Sequence, residues 1–272
     1  MPTHVLILGC GFTGSRVAQR LCGDGIAVTA IRRAQIDFTH AGAVAQLKAI
    51  APEECVVLHS VPSLPESADA RLLTALKGQA LRVVYLSTTG VYGAAEQVDE
   101  NTPAMPRTPR EQARVDTEQA VARGPWESLI LRPAAIYGPG RGVHVSMAEG
   151  RYTLLGDGAN YISRIHVEDL ARLAHAALFA SLTGTYPVAD ELPCPSREIA
   201  EYCAGEYGWP MPVSVSGAEV PASRRTNRRV NGRRVNGRAI CAQLGVQLTY
   251  PTYREGIAQA IAPAGSDGIQ NS

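Results

Sequence analysis

The chain has 272 residues and a formal net charge of +1, from 26 basic and 25 acidic side chains. This length supports a full hydrophobic core, and the balanced charge argues against nucleic acid or an anionic membrane as a partner. No signal-peptide pattern and no apolar run of the roughly 18 residues of a membrane span are present, so we expect a cytoplasmic protein that binds a small molecule. The six scattered cysteines form no CxxC pair, which predicts free thiols and no metal site.

Strand-like and helix-like segments alternate through the first half of the chain. This order predicts an α/β fold in which helices cover a doubly wound parallel sheet. The predicted strands span residues 4–8, 27–31, 55–59, 82–87 and 128–132. The predicted helices span residues 14–22, 42–50, 68–77, 111–122, 167–180, 196–207 and 236–244.

The pattern changes at residue 139, where short mixed segments rich in Gly and Pro replace the alternation. We therefore expect a main domain over residues 1–138, to which residues 162–182 return, and a smaller lobe over residues 139–262. Residues 263–272 lack apolar periodicity and are expected to form a flexible tail. The most basic stretch runs from Arg224 to Arg238, and a solvated face and a site for an anionic substrate group remain alternatives for it.

A G-x-G-x-x-G run follows the first predicted strand and ends where the first predicted helix begins. Gly9 permits a tight turn, Gly11 lets the backbone approach a ligand, and Gly14 lets the helix pack closely on the strand. A pyrophosphate would then bind the free N–H groups of Phe12, Thr13 and their neighbours at the positive end of the helix. The strand before the run and the helix and strand after it favour a dinucleotide site of the Rossmann type over a purely structural turn.

The residues after the second predicted strand indicate which dinucleotide binds. An acidic residue at that point would hydrogen-bond the ribose 2′-hydroxyl of NAD, but this chain has Arg32 and Arg33 there. A guanidinium group pairs with the 2′-phosphate of NADP, so the sequence predicts NADP(H) as the cofactor. Asp37 lies where a third strand would end, and either a bond to the adenine amino group or an ordinary turn explains it.

Four further segments accompany the glycine run, namely residues 85–93, 131–140, 164–171 and 184–188. Together with that run they resemble the extended short-chain dehydrogenase/reductases, the NAD-dependent epimerase/dehydratase group, over nearly the whole chain. The resemblance implies a Rossmann domain that carries the cofactor and a C-terminal lobe that closes over the substrate.

The resemblance also implies roles for individual residues. Thr88 stands where the family's catalytic Ser or Thr hydrogen-bonds the substrate oxygen, and a loop-capping threonine is the alternative. Ser87 and Thr89 are neighbours that would share this task, with Thr89 in contact with the substrate. Pro133 and Ile136 would flank the nicotinamide. The wall near the cofactor's ribose and pyrophosphate would consist of His59, Ser60 and Val61.

The chain departs from the family at its central Tyr-x-x-x-Lys pair. Counting back from Glu118, which resembles the acidic residue four positions after that lysine, Arg114 takes the place of the lysine and Arg110 that of the tyrosine. Residues 98–126 contain no tyrosine. Arginine, with a pKa above about 12, orients a ribose or an anion but is a poor proton donor. The chain is therefore similar to the atypical subgroup that keeps the cofactor fold and lacks this tyrosine, and Arg114 is counted among the cofactor-binding residues.

Other residues are candidates for the missing proton donor and for substrate binding. In relatives the position of Tyr92 faces the substrate, and a pKa lowered by Arg114 or by the cofactor would let its phenol relay a proton. His166 titrates near neutrality and is a second candidate donor. Packing roles are the alternative for both. Arg164 would hold an anionic substrate, and Tyr137 would pack beneath it.

Three functions are consistent with these residues. The first is an NADP(H)-dependent oxidoreductase that acts on a small carbonyl or hydroxyl compound. The second is an epimerase or dehydratase that keeps its cofactor bound and returns the hydride. The third is a non-catalytic NADP(H)-binding protein that senses the redox state of the cofactor, because the usual proton donor is missing. The sequence leaves both a monomer and a homodimer open.

Overall fold

The structure is a computed structural model that describes residues 4–62, 64, 68–216 and 232–262. The strands are β1 (His4–Leu8), β2 (Ala27–Ile31), β3 (Cys55–His59), β4 (Ala80–Leu86), β5 (Gln97–Val98), β6 (Glu127–Pro133), β7 (Ala135–Tyr137), β8 (Leu154–Leu155), β9 (Tyr161–Ile162), β10 (Arg164–His166), β11 (Gly184–Val188), β12 (Cys194–Pro195), β13 (Ser214–Val215) and β14 (Arg234–Val235). The helices are α1 (Gly14–Gly23), α2 (Ala43–Ile50), α3 (Ala68–Thr74), α4 (Pro109–Ala122), α5 (Val143–Ala148), α6 (Val167–Phe179), α7 (Ser196–Tyr207), α8 (Arg238–Leu244) and α9 (Tyr253–Ile261).

Six parallel strands form the central sheet, in the order β11-β6-β4-β3-β1-β2. From β1 the chain first moves outward to β2 and then returns past β1 to β3. The connections therefore diverge between β1 and β3, and the carboxyl ends of these two strands border a crevice of the kind in which α/β proteins bind ligands. The predicted doubly wound parallel sheet is confirmed.

Both faces of the sheet are covered, because successive side chains of a buried strand point to opposite sides. Val5 and Ile7 of β1 belong to one apolar cluster, which α1, α6 and α8 complete. Leu6 and Leu8 belong to another cluster, on which α2, α3 and α4 pack. Each fully buried Val, Leu or Ile contributes about 1.5–3 kcal/mol, so the two layers hold β1 and the turn after it in place.

The segment after β2 differs from the expectation that Asp37 ends a third strand. Residues 32–42 form turns, and β2 is the edge of the sheet. The Asp37 carboxylate accepts hydrogen bonds from the N–H of Thr39 at 3.0 Å and from its hydroxyl at 2.7 Å. Such an Asx turn competes with a strand, because it bends the chain and satisfies its polar groups locally.

One segment beyond residue 139 joins the main sheet, and another packs on it. β11 pairs with β6 at the edge of the sheet, and Ile240 of α8 lies in the same apolar cluster as Val5. A separate buried apolar cluster includes Tyr137, Leu154, Ile199 and Tyr253. The proposed division into 1–138 and 139–262 stays a prediction.

Parts of the sequence predictions concern residues outside the described ranges. The basic stretch from Arg224 is described only from residue 232 onward, and residues 263–272 are not described. Within the described ranges, no helix combines the length and the apolar character needed to cross a bilayer.

Candidate functional site

The glycine run forms a tight turn between β1 and α1. Gly9 has a φ of +87°, and a Cβ on it would come within 3.0 Å of the backbone of Ser60 and Val61. A Cβ on Gly14 would come within 2.7 Å of the carbonyl oxygen of Gly9. Any larger residue at either position requires the backbone to shift, since the ends of β1 and β3 and the start of α1 touch there.

The outer part of the same turn is open and rich in unpaired donors. A Cβ on Gly11 would meet no atom within 4 Å. The N–H groups of Phe12 and Thr13 donate to no carbonyl or side chain of the described residues. Since Thr13 is the N-cap of α1, these groups lie where the helix dipole favours an anion. The turn thus offers the space and the donors that a diphosphate needs.

The end of β3 supports this turn from one side. Ser60 donates its hydroxyl to the carbonyl oxygen of Gly9 at 2.7 Å. His59 is fully buried, with Nε2 at 3.6 Å from Oδ1 of Asp69. Ser60 and Val61 therefore contact the glycine turn, whereas the His59 side chain packs in the protein interior.

The end of β2 presents two guanidinium groups to solvent. Arg32 and Arg33 are exposed, and neither guanidinium forms an ion pair or hydrogen bond with any described residue. Hydrogen bonds from Thr39 hold the pKa of Asp37 below its ordinary value, and Arg33 contributes to the same effect. The Asp37 carboxylate is thus engaged in its own turn, while the two arginines are available to a ligand.

A cavity of about 750 Å³ opens at the carboxyl ends of β4 and β6. Its wall includes six of the residues that the sequence assigned to the site, namely Ser87, Thr88, Thr89, Arg114, Pro133 and Ile136. Four arginines contribute to this wall, namely Arg110, Arg114, Arg141 and Arg233. Glu111 supplies a carboxylate among the described lining residues. The cavity therefore carries a surplus of positive charge.

Thr88 is oriented by the short 3-10 turn that follows it, residues Thr89–Tyr92. Its Oγ1 accepts a hydrogen bond from the N–H of Gly90 at 3.1 Å. Because this bond uses a lone pair, the hydroxyl hydrogen remains free to donate to a ligand in the cavity. The capping role that was the alternative for Thr88 is present, and it leaves the donor capacity intact.

Arg114 reaches the cavity from the second turn of α4. That helix begins with a capping box, in which Thr108 accepts from the N–H of Glu111 at 3.2 Å and the Glu111 carboxylate accepts from the N–H of Thr108 at 3.2 Å. Nη1 of Arg114 donates to the Tyr85 hydroxyl at 2.7 Å and to the carbonyl oxygen of Val61 at 3.2 Å. Arg114 thereby connects the cavity wall with the end of β3. Burial raises the pKa of the Tyr85 phenol, which acts as a neutral partner.

A buried network holds the residue before Thr88. The Ser87 hydroxyl donates to Oε1 of Glu118 at 2.5 Å. Arg132 donates to the same carboxylate through Nε at 3.0 Å and through Nη2 at 2.6 Å. Arg132 of β6 and Glu118 of α4 hold each other in place through this bidentate pair. Since Ser87 is hydrogen-bonded to Glu118, the pair also fixes the position of Ser87 and of the backbone that leads to Thr88.

Four residues predicted at the reaction centre are not brought to the cavity: among the described lining residues, none is Tyr92, Tyr137, Arg164 or His166. Tyr92 is only 1% exposed, and its ring lies 4.8 Å from the guanidinium of Arg132. Burial raises the pKa of Tyr92 above its ordinary value, although a proton relay requires a lower one.

The other three residues are equally engaged in the interior. His166 caps α6, and burial lowers its pKa to about 4, which makes it neutral near pH 7 and unsuited to donate a proton. Arg164 is buried and donates to the carbonyl oxygen of Ile162 at 2.9 Å and to Sγ of Cys194 at 3.3 Å. The Tyr137 hydroxyl donates to the carbonyl oxygen of Thr252 at 3.3 Å.

Two arginines of the cavity were not assigned individually to the site from the sequence, although Arg233 lies in the basic stretch from Arg224 to Arg238, for which a site for an anionic substrate group was one alternative. Arg233 donates to the carbonyl oxygens of Ala95 at 3.0 Å, Gly93 at 2.7 Å and Thr89. Arg141 follows the segment 131–140 that carried the family resemblance, and its guanidinium lies 5.2 Å from the Phe12 ring. The positive charge of both side chains is evident from the sequence, but their location in the cavity depends on contacts between distant segments.

Comparison with known proteins places these features in context. Residues 5–188 match the model of the NAD dependent epimerase/dehydratase family. The 3-diazoavenalumate denitrifying reductase of Streptomyces sp is 30% identical over 171 residues, which are 60% of this chain and 56% of that protein, so the match spans little more than half of the relative.

Two solved structures share the fold over nearly the whole chain. A conserved protein of unknown function from Silicibacter pomeroyi DSS has a TM-score of 0.77 and 29% identity, with 95% of this chain and 98% of that chain covered. The UDP-glucose 4-epimerase of Thermus thermophilus, in complex with NAD, has a TM-score of 0.76 and 20% identity, with 94% and 97% covered.

Proposed function

Since the chain belongs to the NAD dependent epimerase/dehydratase family, we propose that it is an oxidoreductase that binds NADP(H) and moves a hydride to or from a small carbonyl or hydroxyl compound. The choice of cofactor rests on Arg32 and Arg33, which are exposed at the carboxyl end of β2 and form no ion pair with a described residue. A guanidinium pairs bidentately with the 2′-phosphate of NADP and stacks on adenine, and NAD has no phosphate at that position.

The described residues fit a dinucleotide along the carboxyl edge of the sheet. The open backbone at Gly11 and the unpaired N–H groups of Phe12 and Thr13 would receive the diphosphate. Pro133 and Ile136 provide an apolar wall in the cavity for the nicotinamide. Arg114, which takes the place of the family's lysine, would orient the ribose next to that ring.

NADPH, when bound, would supply a hydride from its nicotinamide ring. The free hydroxyl hydrogen of Thr88 would donate to the substrate oxygen and stabilise the negative charge that develops there. Ser87 cannot share this donation, because its own hydrogen is committed to Glu118. The guanidinium groups of Arg114 and Arg110 would stabilise the oxyanion, and the proton that completes the alcohol would come from solvent water.

The charge of the cavity supports an anionic substrate. Arg110 and Arg114 line the same cavity as the donor Thr88, and the Glu111 carboxylate is engaged in the capping box of α4. A carboxylate or phosphate on the substrate would therefore be stabilised next to the reaction centre. This assignment replaces the role predicted for Arg164, whose guanidinium is held by backbone and thiol groups in the interior.

The proposal is tested by incubating the purified protein with NADPH and a panel of small aldehydes, ketones, keto acids and sugar nucleotides. An aromatic diazo compound belongs to the panel because one relative is named a denitrifying reductase. We expect loss of nicotinamide absorbance with at least one anionic substrate, and no loss with NADH at the same concentration. A protein that binds neither NADPH nor NADP would contradict the proposal.

The two other functions give different results in the same experiment. A cofactor that copurifies with the protein and shows no net consumption would favour an epimerase or dehydratase. Tight NADPH binding without turnover of any compound would favour the redox-sensing protein, which the absence of a tyrosine from residues 98–126 supports.

The cytoplasmic location also stays a proposal, supported by six free cysteines that suit a reducing compartment.

A further inference from the structure

A four-residue hairpin projects one of the cavity's arginines toward the glycine turn. The N–H of Gly138 donates to the carbonyl oxygen of Arg141 at 2.9 Å, and the N–H of Arg141 donates to that of Gly138 at 2.9 Å. Gly140 in the hairpin has a φ of +73°, which favours glycine. The two reciprocal hydrogen bonds fix the backbone of Arg141 and therefore the position from which its side chain extends.

The Arg141 guanidinium has no anionic partner among the described residues. The side chain is exposed and forms no hydrogen bond or ion pair with any of them, and the contact it does make is with the Phe12 ring, at 5.2 Å. Arg16 provides the contrast, because its guanidinium lies 4.4 Å from the same ring. Arg16 is neutralised by Glu168 at 2.8 Å and donates to the carbonyl oxygen of Phe12 at 2.7 Å.

We propose that Arg141 binds the phosphate of the dinucleotide that is attached to the nicotinamide ribose. This inference rests on the proposed function and extends it to a residue outside the glycine turn. Arg141 lies against Phe12 of the turn and also lines the cavity that contains Pro133 and Ile136. It therefore lies at the junction between the part of the site that would receive the diphosphate and the part that would receive the nicotinamide.

Electrostatic energies favour a phosphate as the partner of the Arg141 guanidinium over a role limited to its contact with the Phe12 ring. An exposed cation on an aromatic ring gains little, about 0.5–1 kcal/mol. The N–H groups of Phe12 and Thr13 have no partners among the described residues, and the Arg141 guanidinium lies against Phe12, so a phosphate bound at the turn would receive backbone and guanidinium donors together. Arg110 and Arg114 are less suited to this role, because they project from α4 and, within the described part of the chain, their guanidinium groups form no cation–π contact with Phe12.

The test compares two ligands on the full-length protein by titration calorimetry. NADPH carries both bridging phosphates, whereas adenosine 2′,5′-bisphosphate carries the ribose phosphate and only the adenosine-side phosphate. For Arg141→Ala we expect NADPH binding to weaken by about tenfold or more, and binding of the bisphosphate to change by less than about twofold. The control is Arg151→Ala, which removes an exposed arginine that pairs with Glu149 away from the cavity and should leave both affinities unchanged.

Each other outcome overturns a defined part of the inference. Unchanged NADPH binding in Arg141→Ala, with a wild-type protein that binds NADPH, would refute the contact. Equal weakening of both ligands would refute the assignment to the nicotinamide-side phosphate. Equal losses of NADPH affinity in Arg141→Ala and Arg151→Ala would show that the effect comes from removing one positive charge, and would refute a specific contact of Arg141. A wild-type protein without affinity for NADPH would instead refute the proposed function itself.

Discussion

Replacing Glu118 by glutamine tests the network that holds the cavity wall beneath Thr88. The carboxylate is 5% exposed and Arg132 is 10% exposed, with 2.6 Å between Oε2 and Nη2. Removing one partner of such a buried pair costs about 3–5 kcal/mol, because the remaining charge loses its compensation. Glutamine keeps the shape and one acceptor oxygen but turns an N–H group toward the donors of Arg132 or Ser87. We expect a loss near the lower limit, about 3 kcal/mol.

The chain supplies a matched control in a second Glu–Arg pair. Glu127 accepts from Arg82 at 3.1 Å but is 62% exposed, so Glu127→Gln should cost less than about 1 kcal/mol. Arg82 also donates to the carbonyl oxygen of Ala177 at 3.0 Å and therefore stays satisfied in that variant.

The free energy of unfolding is measured by urea titration, and the melting temperature by calorimetry. At about 2–4 °C per kcal/mol, the expected loss lowers the melting temperature of Glu118→Gln by about 6–12 °C. Equal effects of the two substitutions, or a loss below about 1 kcal/mol for Glu118→Gln, would refute the assigned role of the buried pair.

Arg32→Ala should weaken NADPH binding by at least about tenfold and hardly change NADH binding, because only NADPH offers a 2′-phosphate; equal losses in a calorimetric titration would contradict the assignment. Thr88→Val should lower turnover of a substrate from the panel by about 100-fold or more, the usual cost of a lost oxyanion donor, and unchanged turnover would end that role. His166 has a pKa lowered from 6.5 to about 4 by burial, so the unfolded chain binds more protons between these values and stability falls as the pH drops through that window. His166→Asn keeps a capping acceptor without titrating, so its unfolding free energy should depend less on pH there than that of the wild type; identical pH dependence would speak against burial as the cause.

The glycine turn could be predicted because its determinants are local. Gly9, Gly11 and Gly14 lie within six residues. In the structure the backbone packs closely around Gly9 and Gly14, whereas the space around Gly11 is open, as the spacing predicted. The positions of the five predicted strands were accessible for a similar reason, since continuous apolar runs mark buried parallel strands. The capping box of Thr252 and Glu255, which begins α9, was equally readable and was missed.

The residues that failed to reach the cavity depend on packing between distant segments. The motifs predicted Tyr92 and Arg164 at the site, but the burial of these side chains against Arg132 and Cys194 is not visible in local spacing. β11 was overlooked as a strand because it contains Gly184 and Pro187, which lower strand propensity. Proline is tolerated there because β11 is an edge strand and needs donors on one side only.

The ion pairs between α1 and α6 have a consequence for how the chain acquires its structure. Glu168 receives Arg16 and Arg20, at 2.8 Å each, across 152 and 148 positions of sequence. During synthesis, α1 would leave the ribosome long before the helix that anchors it. Such long-range closure slows folding and leaves apolar strands exposed in the meantime. The contacts of α1 with α6 can therefore form only after residue 168 has emerged.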